Sequence, residues 1–161
     1  MGQMASIQIM NATIEDYEEV NAIVREGQDE HAEALPHIFK KVEQAMPRNY
    51  FNELMEEVNC TILIARMNQE IVGFAVMELN ESPPYKTMTP RTYAYMNDFG
   101  IKNSCQRAGI GTELFKSCME WSKNKGAESL ELNVWEFNQK AISFYEKFGM
   151  ASISRKMSLQ L

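Results

Sequence analysis

The sequence is poor in cysteine and histidine, the side chains from which disulfide frameworks and most structural zinc sites are built. It contains three cysteines, Cys60, Cys105 and Cys118, and two histidines, His31 and His37. An odd number of cysteines without a CxxC spacing argues against both a disulfide framework and a zinc site. We therefore expect reduced thiols, as in a cytoplasmic protein, and no bound metal.

Long apolar runs are also missing. No run approaches the roughly 20 residues that a helix needs to cross a bilayer, and the N-terminal sequence MGQMASIQIM lacks the basic and long apolar regions of a secretory signal. With 45% hydrophobic residues, the 161-residue chain can still bury an ordinary core. We expect a single domain over residues 1–161, located in the cytoplasm and without a membrane partner.

Positive charge is in the minority, since 16 Lys and Arg residues face 22 Asp and Glu residues, for a net charge of −6. Nucleic-acid-binding proteins normally carry a basic stripe, so we expect no nucleic-acid partner. The acidic balance favours a cationic substrate, although acidity for solubility alone is the simpler alternative.

Hydrophobic periodicity and turn residues predict alternating helices and strands. Thr13 and Asp16 have the spacing of a capping box at the start of the first helix, and Gly27 is its expected end. The predicted elements are a strand at 6–10, a helix at 11–27, one or two helical segments within 29–58, a hairpin of strands at 60–66 and 70–79, a strand at 92–101, a helix at 108–126, a strand at 128–135, a helix at 138–149 and a last strand at 152–161. This βααβββαβαβ order implies a mixed sheet covered by helices on its faces.

The stretch SCQRAGIGTEL, residues 104–114, places Gly109 and Gly111 where a loop enters a helix. Such a junction presents unpaired backbone N–H groups at the positive end of the helix, where an anion binds. Gly111 is followed by Thr-Glu rather than the Lys-Ser/Thr of a P-loop, and the third glycine of a dinucleotide fingerprint is missing. The remaining interpretation is a pyrophosphate loop of the form Q/R-x-x-G-x-G/A that begins at Gln106.

Together with its flanking segments, this loop resembles a known family. Residues 98–150, from DFGIKN to AISFYEKFGM, resemble the cofactor half of the GCN5-related N-acetyltransferases (GNAT), which use acetyl-CoA. The first 80 residues resemble that family only in the order of their elements. The resemblance implies the GNAT acyl-CoA N-acyltransferase fold, an α/β fold with helices on both faces of a splayed mixed sheet. It also implies acetyl-CoA as cosubstrate, no metal, and a homodimer.

The resemblance assigns cofactor contacts as well. Loop N–H groups and the Arg107 side chain would receive the pyrophosphate, and pantetheine would pair with the strand edge at 99–101, where a backbone N–H would stabilise an oxyanion. The implied cofactor-binding residues are Phe99, Gly100, Ile101, Gln106, Arg107, Ala108, Gly109, Ile110, Gly111, Thr112, Asn138 and Tyr145. The structural alternatives are that Phe99 and Ile101 are core residues, that Asn138 is a helix N-cap and that Tyr145 is a packed aromatic.

Tyr145 and Asn133 are the catalytic candidates. The Tyr145 phenol can protonate a departing thiolate as general acid. Some branches of the family carry a glutamate base on the strand that reads LELNVW here, where this chain has Asn133, which cannot take a proton but can orient a water or the substrate. Asp98, Glu78 and His37 remain alternative bases.

The implied reaction is transfer of an acetyl group to a primary amine of a small molecule, peptide or protein by direct attack in a ternary complex. Such attack needs no covalent cysteine, so Cys105 beside the loop is expected to be structural. A different acyl group, or a non-catalytic acyl-CoA sensor, which the asparagine at position 133 favours, are the competing interpretations.

Overall fold

The computed structural model describes residues 6–161, and the first five residues of the segment inspected for a secretory signal lie outside this range. The strands are β1 (Ile7–Asn11), β2 (Cys60–Met67), β3 (Glu70–Glu81), β4 (Thr92–Ile101) and β5 (Leu130–Leu132). The helices are α1 (Tyr17–Ala34), α2 (Arg48–Glu56), α3 (Ile110–Asn124) and α4 (Gln139–Lys147), with 3-10 turns at Ile14–Asp16 and Asn103–Cys105. Within the described range, no helix is long and apolar enough to span a membrane.

The five strands form one sheet in the order β1-β2-β3-β4-β5. The first three pairings are antiparallel, and β4 pairs with β5 in parallel. The hairpin between β2 and β3 turns at Asn68 and Gln69, with φ of 55° and 66°, as a two-residue hairpin turn requires. The predicted hairpin and the predicted mixed sheet are confirmed.

Helices cover both faces of the sheet because the central strands are apolar on both sides. Phe51 of α2 packs with Phe74 of β3 on the face that α1 also covers. Ala75, the next residue of β3, packs with Leu114 of α3 on the opposite face. This arrangement confirms the predicted fold class.

The first helix continues past its expected end at Gly27. Thr13 and Asp16 do form the predicted cap, since the Thr13 backbone N–H donates to Asp16 Oδ2 at 2.8 Å. Residues 28–34 are mostly good helix formers, so the helix tolerates the cost of one internal glycine, about 1 kcal/mol. It stops at Leu35, the residue before Pro36, where helical geometry is disfavoured.

The connection from α1 to α2 consists of turns, so the helical segments predicted within 29–58 reduce to the end of α1 and to α2. Buried polar groups of α1 hold this connection. The Tyr17 hydroxyl donates to the Met46 carbonyl oxygen at 2.6 Å. The Asn21 side chain donates to the Glu43 carbonyl oxygen and accepts the Met46 N–H, both at 3.0 Å.

The C-terminal prediction is wrong in two connected respects. The strand predicted at 128–135 is formed only at Leu130–Leu132, and the last strand predicted at 152–161 is not formed in the described chain. Ile153 and Leu159, which belong to the alternating pattern, are 79% and 82% exposed. Alternation indicates that a segment can lie in a sheet, but a strand also needs an edge to pair with, and residues 151–161 meet none in the single chain.

Gly100 should be needed for packing between β4 and α1. A Cβ atom there would lie 2.8 Å from Phe74 Cε1 and 3.2 Å from Ile23 Cγ2. We expect Gly100→Ala to lower the free energy of unfolding in urea by about 1–3 kcal/mol, as overpacked cores do. The matched control is Gly27→Ala, because nothing lies within 4 Å of its Cβ position. The control should raise the free energy of unfolding by about 0.5–1 kcal/mol, and an unchanged midpoint for Gly100→Ala would show that the contact is not close.

Candidate functional site

A cleft opens where β4 and β5 separate. The two strands pair only through Ala94–Met96 and Leu130–Leu132, while β4 continues to Ile101 with its other edge against β3. The cleft has a volume of about 960 Å³, at the upper end of the range for small-ligand sites. Its walls come from β4, the loop before α3, the end of β5, α4 and the second half of α1.

A β-bulge marks the point of separation. Met96 pairs with Met77 and Asp98 pairs with Val76, which leaves Asn97 without a partner on β3. Bulges bend a strand and redirect its side chains, and they are common next to active sites. Here both Asn97 and Asp98 line the cleft.

The loop before α3 has the conformation of an anion cradle. Arg107 and Gly109 are both left-handed, with φ of 68° and 81°, and Gly109 is the N-cap of α3. The N–H groups of residues 110–112 open the helix and therefore have no partner within it. A non-glycine residue in this region carries strain, which is often found at ligand sites. Arg107 and Gly109 both line the cleft.

Glycine is needed at the two loop positions, 109 and 111, for different local reasons. Gly109 provides the left-handed turn, and nothing lies within 4 Å of its Cβ position. Gly111 provides close packing, because its Cβ would lie 3.4 Å from the Phe144 ring of α4. Ile110 is 1% exposed and packs in the core, so only its backbone can meet a ligand. Of the predicted cofactor-binding residues, Ala108 alone is absent from the cleft lining among the described residues.

Sequence reasoning missed Lys140. Its ammonium donates to Gln106 Oε1 at 3.1 Å, and Gln106 in turn donates to Asn103 Oδ1 at 3.3 Å. A lysine in the first turn of a helix opposes the helix dipole. That local conflict was the available signal that Lys140 is placed for another purpose, and it adds positive charge to the anion cradle.

Tyr145 lies in a cluster of aromatic rings. Its ring centroid is 6.3 Å from that of Phe99 and 5.8 Å from that of Phe115. Burial raises the pKa of the Tyr145 hydroxyl well above its usual value, and the charge of Asp98 adds to this. The phenol is thus protonated throughout the physiological range. The packed-aromatic description and the position beside the cleft both hold for this residue.

The two asparagines of the region are engaged in hydrogen bonds. Asn138 caps α4, with its Oδ1 accepting the Ala141 N–H at 3.2 Å. Asn133 donates from Nδ2 to the Tyr95 hydroxyl. Both line the cleft, so their structural roles coexist with access to a ligand.

Only one of the three alternative bases reaches the cleft. Asp98 lines it, whereas Glu78 and His37 are not part of its lining. The Asp98 carboxylate is exposed to the cleft, but protein atoms surround it and remove much of its water. This desolvation raises the pKa of Asp98 above its ordinary value. The hydrogen bond that the carboxylate accepts from the Phe99 N–H acts in the opposite direction and lowers the pKa.

An aromatic wall from distant parts of the chain also borders the cleft, and no local sequence pattern indicated it. The His31 ring meets the rings of Phe39 and Phe137 edge-on, at centroid distances of 5.3 and 5.2 Å. Phe39 meets Trp135 at 5.2 Å. His31 Nδ1 lies 2.7 Å from the Gly27 carbonyl oxygen and therefore carries the proton that it donates. No group of three metal-ligating side chains occurs within residues 6–161.

Comparison with known proteins identifies the family to which this fold and cleft belong. The model of the acetyltransferase (GNAT) family matches residues 23–150. The chain therefore belongs to this family. The names of its relatives identify it as an N-acetyltransferase. A single-residue mutant of the BH1408 protein from Bacillus halodurans superposes with a TM-score of 0.93 at 27% identity, over 96% of this chain and 99% of that one.

Further relatives extend the comparison. Mouse thialysine N-epsilon-acetyltransferase is 27% identical over 94% of this chain and 88% of its own length. An uncharacterized N-acetyltransferase of Methanocaldococcus jannaschii is 28% identical over 63% of this chain, a match that spans 44% of that relative. The aminoglycoside N-acetyltransferase AAC(6′)-Iy, solved in complex with CoA, shares the fold with a TM-score of 0.72 at 12% identity, over 100% of this chain and 98% of that one.

The raised pKa of Asp98 implies that the folding stability depends on pH. Because the folded state holds the proton more tightly than the unfolded state, ionising Asp98 costs stability as the pH rises through its folded-state pKa. We expect Asp98→Asn, which retains an oxygen for the Phe99 N–H, to raise the melting temperature relative to wild type, by an increment that grows as the pH rises above 3.8. Glu128→Gln, an exposed control outside the cleft, should show no such trend, and a pH-independent effect of Asp98→Asn would contradict the desolvation of Asp98.

Proposed function

We propose that this protein transfers the acetyl group of acetyl-CoA to the primary amine of a small cationic acceptor, by direct attack in a ternary complex. The observation that carries the proposal is the cleft between β4 and β5, which joins an anion cradle at one helix N-terminus to a partly buried, protonated tyrosine. The single domain over residues 1–161 would act in the cytoplasm, as a homodimer.

Acetyl-CoA fits the donor part of the cleft. Backbone N–H groups of residues 107–112 would bind the pyrophosphate, with Arg107 and Lys140 supplying positive charge. Pantetheine would lie along the β4 edge at residues 98–101, which β5 leaves open. The CoA complex of the aminoglycoside enzyme supports this choice through the shared fold.

The transfer step needs few groups. The neutral amine nitrogen attacks the thioester carbonyl carbon, and the carbonyl electron pair moves to oxygen, where a backbone N–H of β4 would stabilise it. Collapse of this intermediate restores the carbonyl, breaks the C–S bond to release the CoA thiolate and leaves the amide once the attacking nitrogen loses its remaining extra proton. Tyr145 would donate its proton to the thiolate, and the proton lost by the nitrogen would restore the phenol, so that the products are the neutral amide and the CoA thiol. Its raised pKa keeps the proton available, at the cost of making the phenol a weaker acid.

The amine must first lose a proton, and Asp98 is the best-placed acceptor for it. Asn133 cannot accept a proton, and Glu78 and His37 are not among the residues that line the cleft. A carboxylate with a raised pKa is a stronger base than an ordinary one, which suits proton removal from an ammonium group. Asn133, held by Tyr95, would orient the substrate.

The remaining lining favours a cationic acceptor. Glu30 and Asp98 contribute negative charge, and Trp135 and Phe39 contribute aromatic faces, a combination that binds ammonium groups. The name of the mouse relative specifies a lysine-like amine, which agrees with this chemistry. A non-catalytic acyl-CoA sensor is the second candidate, and the asparagine at position 133 is the observation that favours it.

Thiol release from acetyl-CoA against a panel of amines tests the proposal. The panel should include thialysine, lysine, spermidine, an aminoglycoside and a peptide with a free N-terminus. We expect turnover with the small cationic amines and little with the peptide. Calorimetric binding of acetyl-CoA without turnover on any amine would favour the sensor, and substitution of propionyl-CoA would test the acyl group.

Tyr145→Phe isolates the proposed proton donor, because phenylalanine preserves the ring contacts with Phe99 and Phe115. We expect the turnover number to fall by about 100-fold or more, with the acetyl-CoA dissociation constant nearly unchanged in calorimetry. Tyr93→Phe, outside the cleft lining, should leave both quantities as in wild type. Wild-type turnover by Tyr145→Phe across the pH range would remove Tyr145 from the reaction.

A further inference from the structure

His31 lines the cleft but takes no part in the transfer step proposed above. Contacts from three parts of the chain hold its ring in one orientation. Nδ1 donates to the carbonyl oxygen of Gly27, one turn earlier in α1, at 2.7 Å. The rings of Phe39, after α1, and Phe137, before α4, meet the imidazole edge-on, both at an interplanar angle of 83°. A side chain locked in this way is suited to a directional contact with a ligand.

The fixed proton on Nδ1 decides what the other ring nitrogen can do. In a neutral imidazole with its hydrogen on Nδ1, Nε2 carries a lone pair and accepts a hydrogen bond. Within residues 6–161, no group of the chain donates to Nε2, and the only polar side-chain atom buried without a partner is Asn52 Oδ1. Nε2 is therefore not buried. Since His31 lines the cleft, this nitrogen is a hydrogen-bond acceptor that a ligand in the cleft can reach.

His31 and Asp98 act on the same part of the cleft. Helix α1 packs against β4, because a Cβ atom on Gly100 would lie 3.2 Å from Ile23 Cγ2. Desolvation raises the pKa of Asp98, whereas the hydrogen bond from the Phe99 N–H and the charge of His31 act to lower it. The charge of one side chain thus reaches the other. A small polar group bound at Asp98 would lie near His31 as well.

The attacking nitrogen of a primary amine needs more than one acceptor. After it has lost a proton to Asp98, it keeps two N–H groups and the lone pair that attacks the thioester. Asp98 has one oxygen, Oδ1, already engaged by the Phe99 N–H at 2.9 Å. A second acceptor would bind one of the amine N–H groups and thereby fix the direction of the lone pair, which is the geometric control that such a reaction requires.

We propose that His31 is a specificity-determining residue for the acceptor, whose neutral Nε2 accepts a hydrogen bond from the primary amine that Asp98 deprotonates. The inference rests on the proposed function and adds a selection to it, for primary amines over their N-methylated analogues. A methyl group in place of the N–H that faces His31 would leave Nε2 without a partner and would crowd the aromatic wall.

Three variants test the contact. His31→Phe keeps a ring between Phe39 and Phe137 but has no Nε2. We expect it to lower kcat/KM for the amine by about tenfold or more, with the acetyl-CoA dissociation constant in calorimetry unchanged. His31→Gln, whose Oε1 can take the place of Nε2, should recover part of the loss. The matched control is His37→Phe, at an exposed histidine outside the cleft lining, which should behave as wild type.

The preference for primary amines separates a contact with the substrate from a structural role. Each amine that wild type acetylates is compared with its N-methyl analogue, for example lysine with Nε-methyllysine. We expect wild type to prefer the primary amine and His31→Phe to reduce that preference by about fivefold or more. An active wild type with an unchanged preference or an unchanged kcat/KM in His31→Phe would overturn the role of His31 alone. A wild type inactive on every amine would overturn the proposed function and this inference with it.

Discussion

The parting of β4 from β5 after three paired residues is the constraint on which the site depends. Had the parallel pairing continued along β4, the strand edge at residues 98–101 would be closed and the cleft would not exist. The bulge at Asn97 shifts the pairing register between β3 and β4 directly after the last β4 residue that pairs with β5, and the next residue, Asp98, lines the opening. Packing of Leu114 and Phe115 then fixes α3 against the same sheet, so that its N-terminus lies at the mouth of the cleft.

The charges and dipoles that line the cleft matter more for ligand binding than the net charge of the whole chain. An acidic protein can hold a pyrophosphate if the contact is made by backbone N–H groups, a helix dipole and a few side chains such as Arg107 and Lys140. Asp98 and Glu30 bring the opposite charge to the same cleft. Under the proposed function, an anionic donor and a cationic acceptor would meet in this one cavity, where desolvation raises the pKa of both Asp98 and Tyr145.

Local sequence signals predicted most of the fold. The hairpin at Asn68 and Gln69, the strand at 92–101 and the loop before α3 each depend on residues close in sequence, and each is found as expected. The two errors have different causes. Gly27 remains inside α1 because the good helix formers that follow it outweigh its cost, and the predicted strand at 152–161 lacks an edge to pair with in the single chain. For the site, the glycine loop and Tyr145 were visible in the sequence, and the position of Lys140 in the first turn of a helix was a local signal of its role. The bulge at Asn97 and the aromatic wall depend on tertiary contacts that no local pattern encodes.

Hydrogen exchange with and without saturating acetyl-CoA would show which backbone segments meet the coenzyme. We expect slower exchange at residues 98–101 and 106–112, with little change in β1 and β2 on the far side of the sheet. Saturating acetyl-CoA that leaves both cleft segments unprotected, or that protects a different surface, would contradict the assignment of this cleft as the coenzyme site.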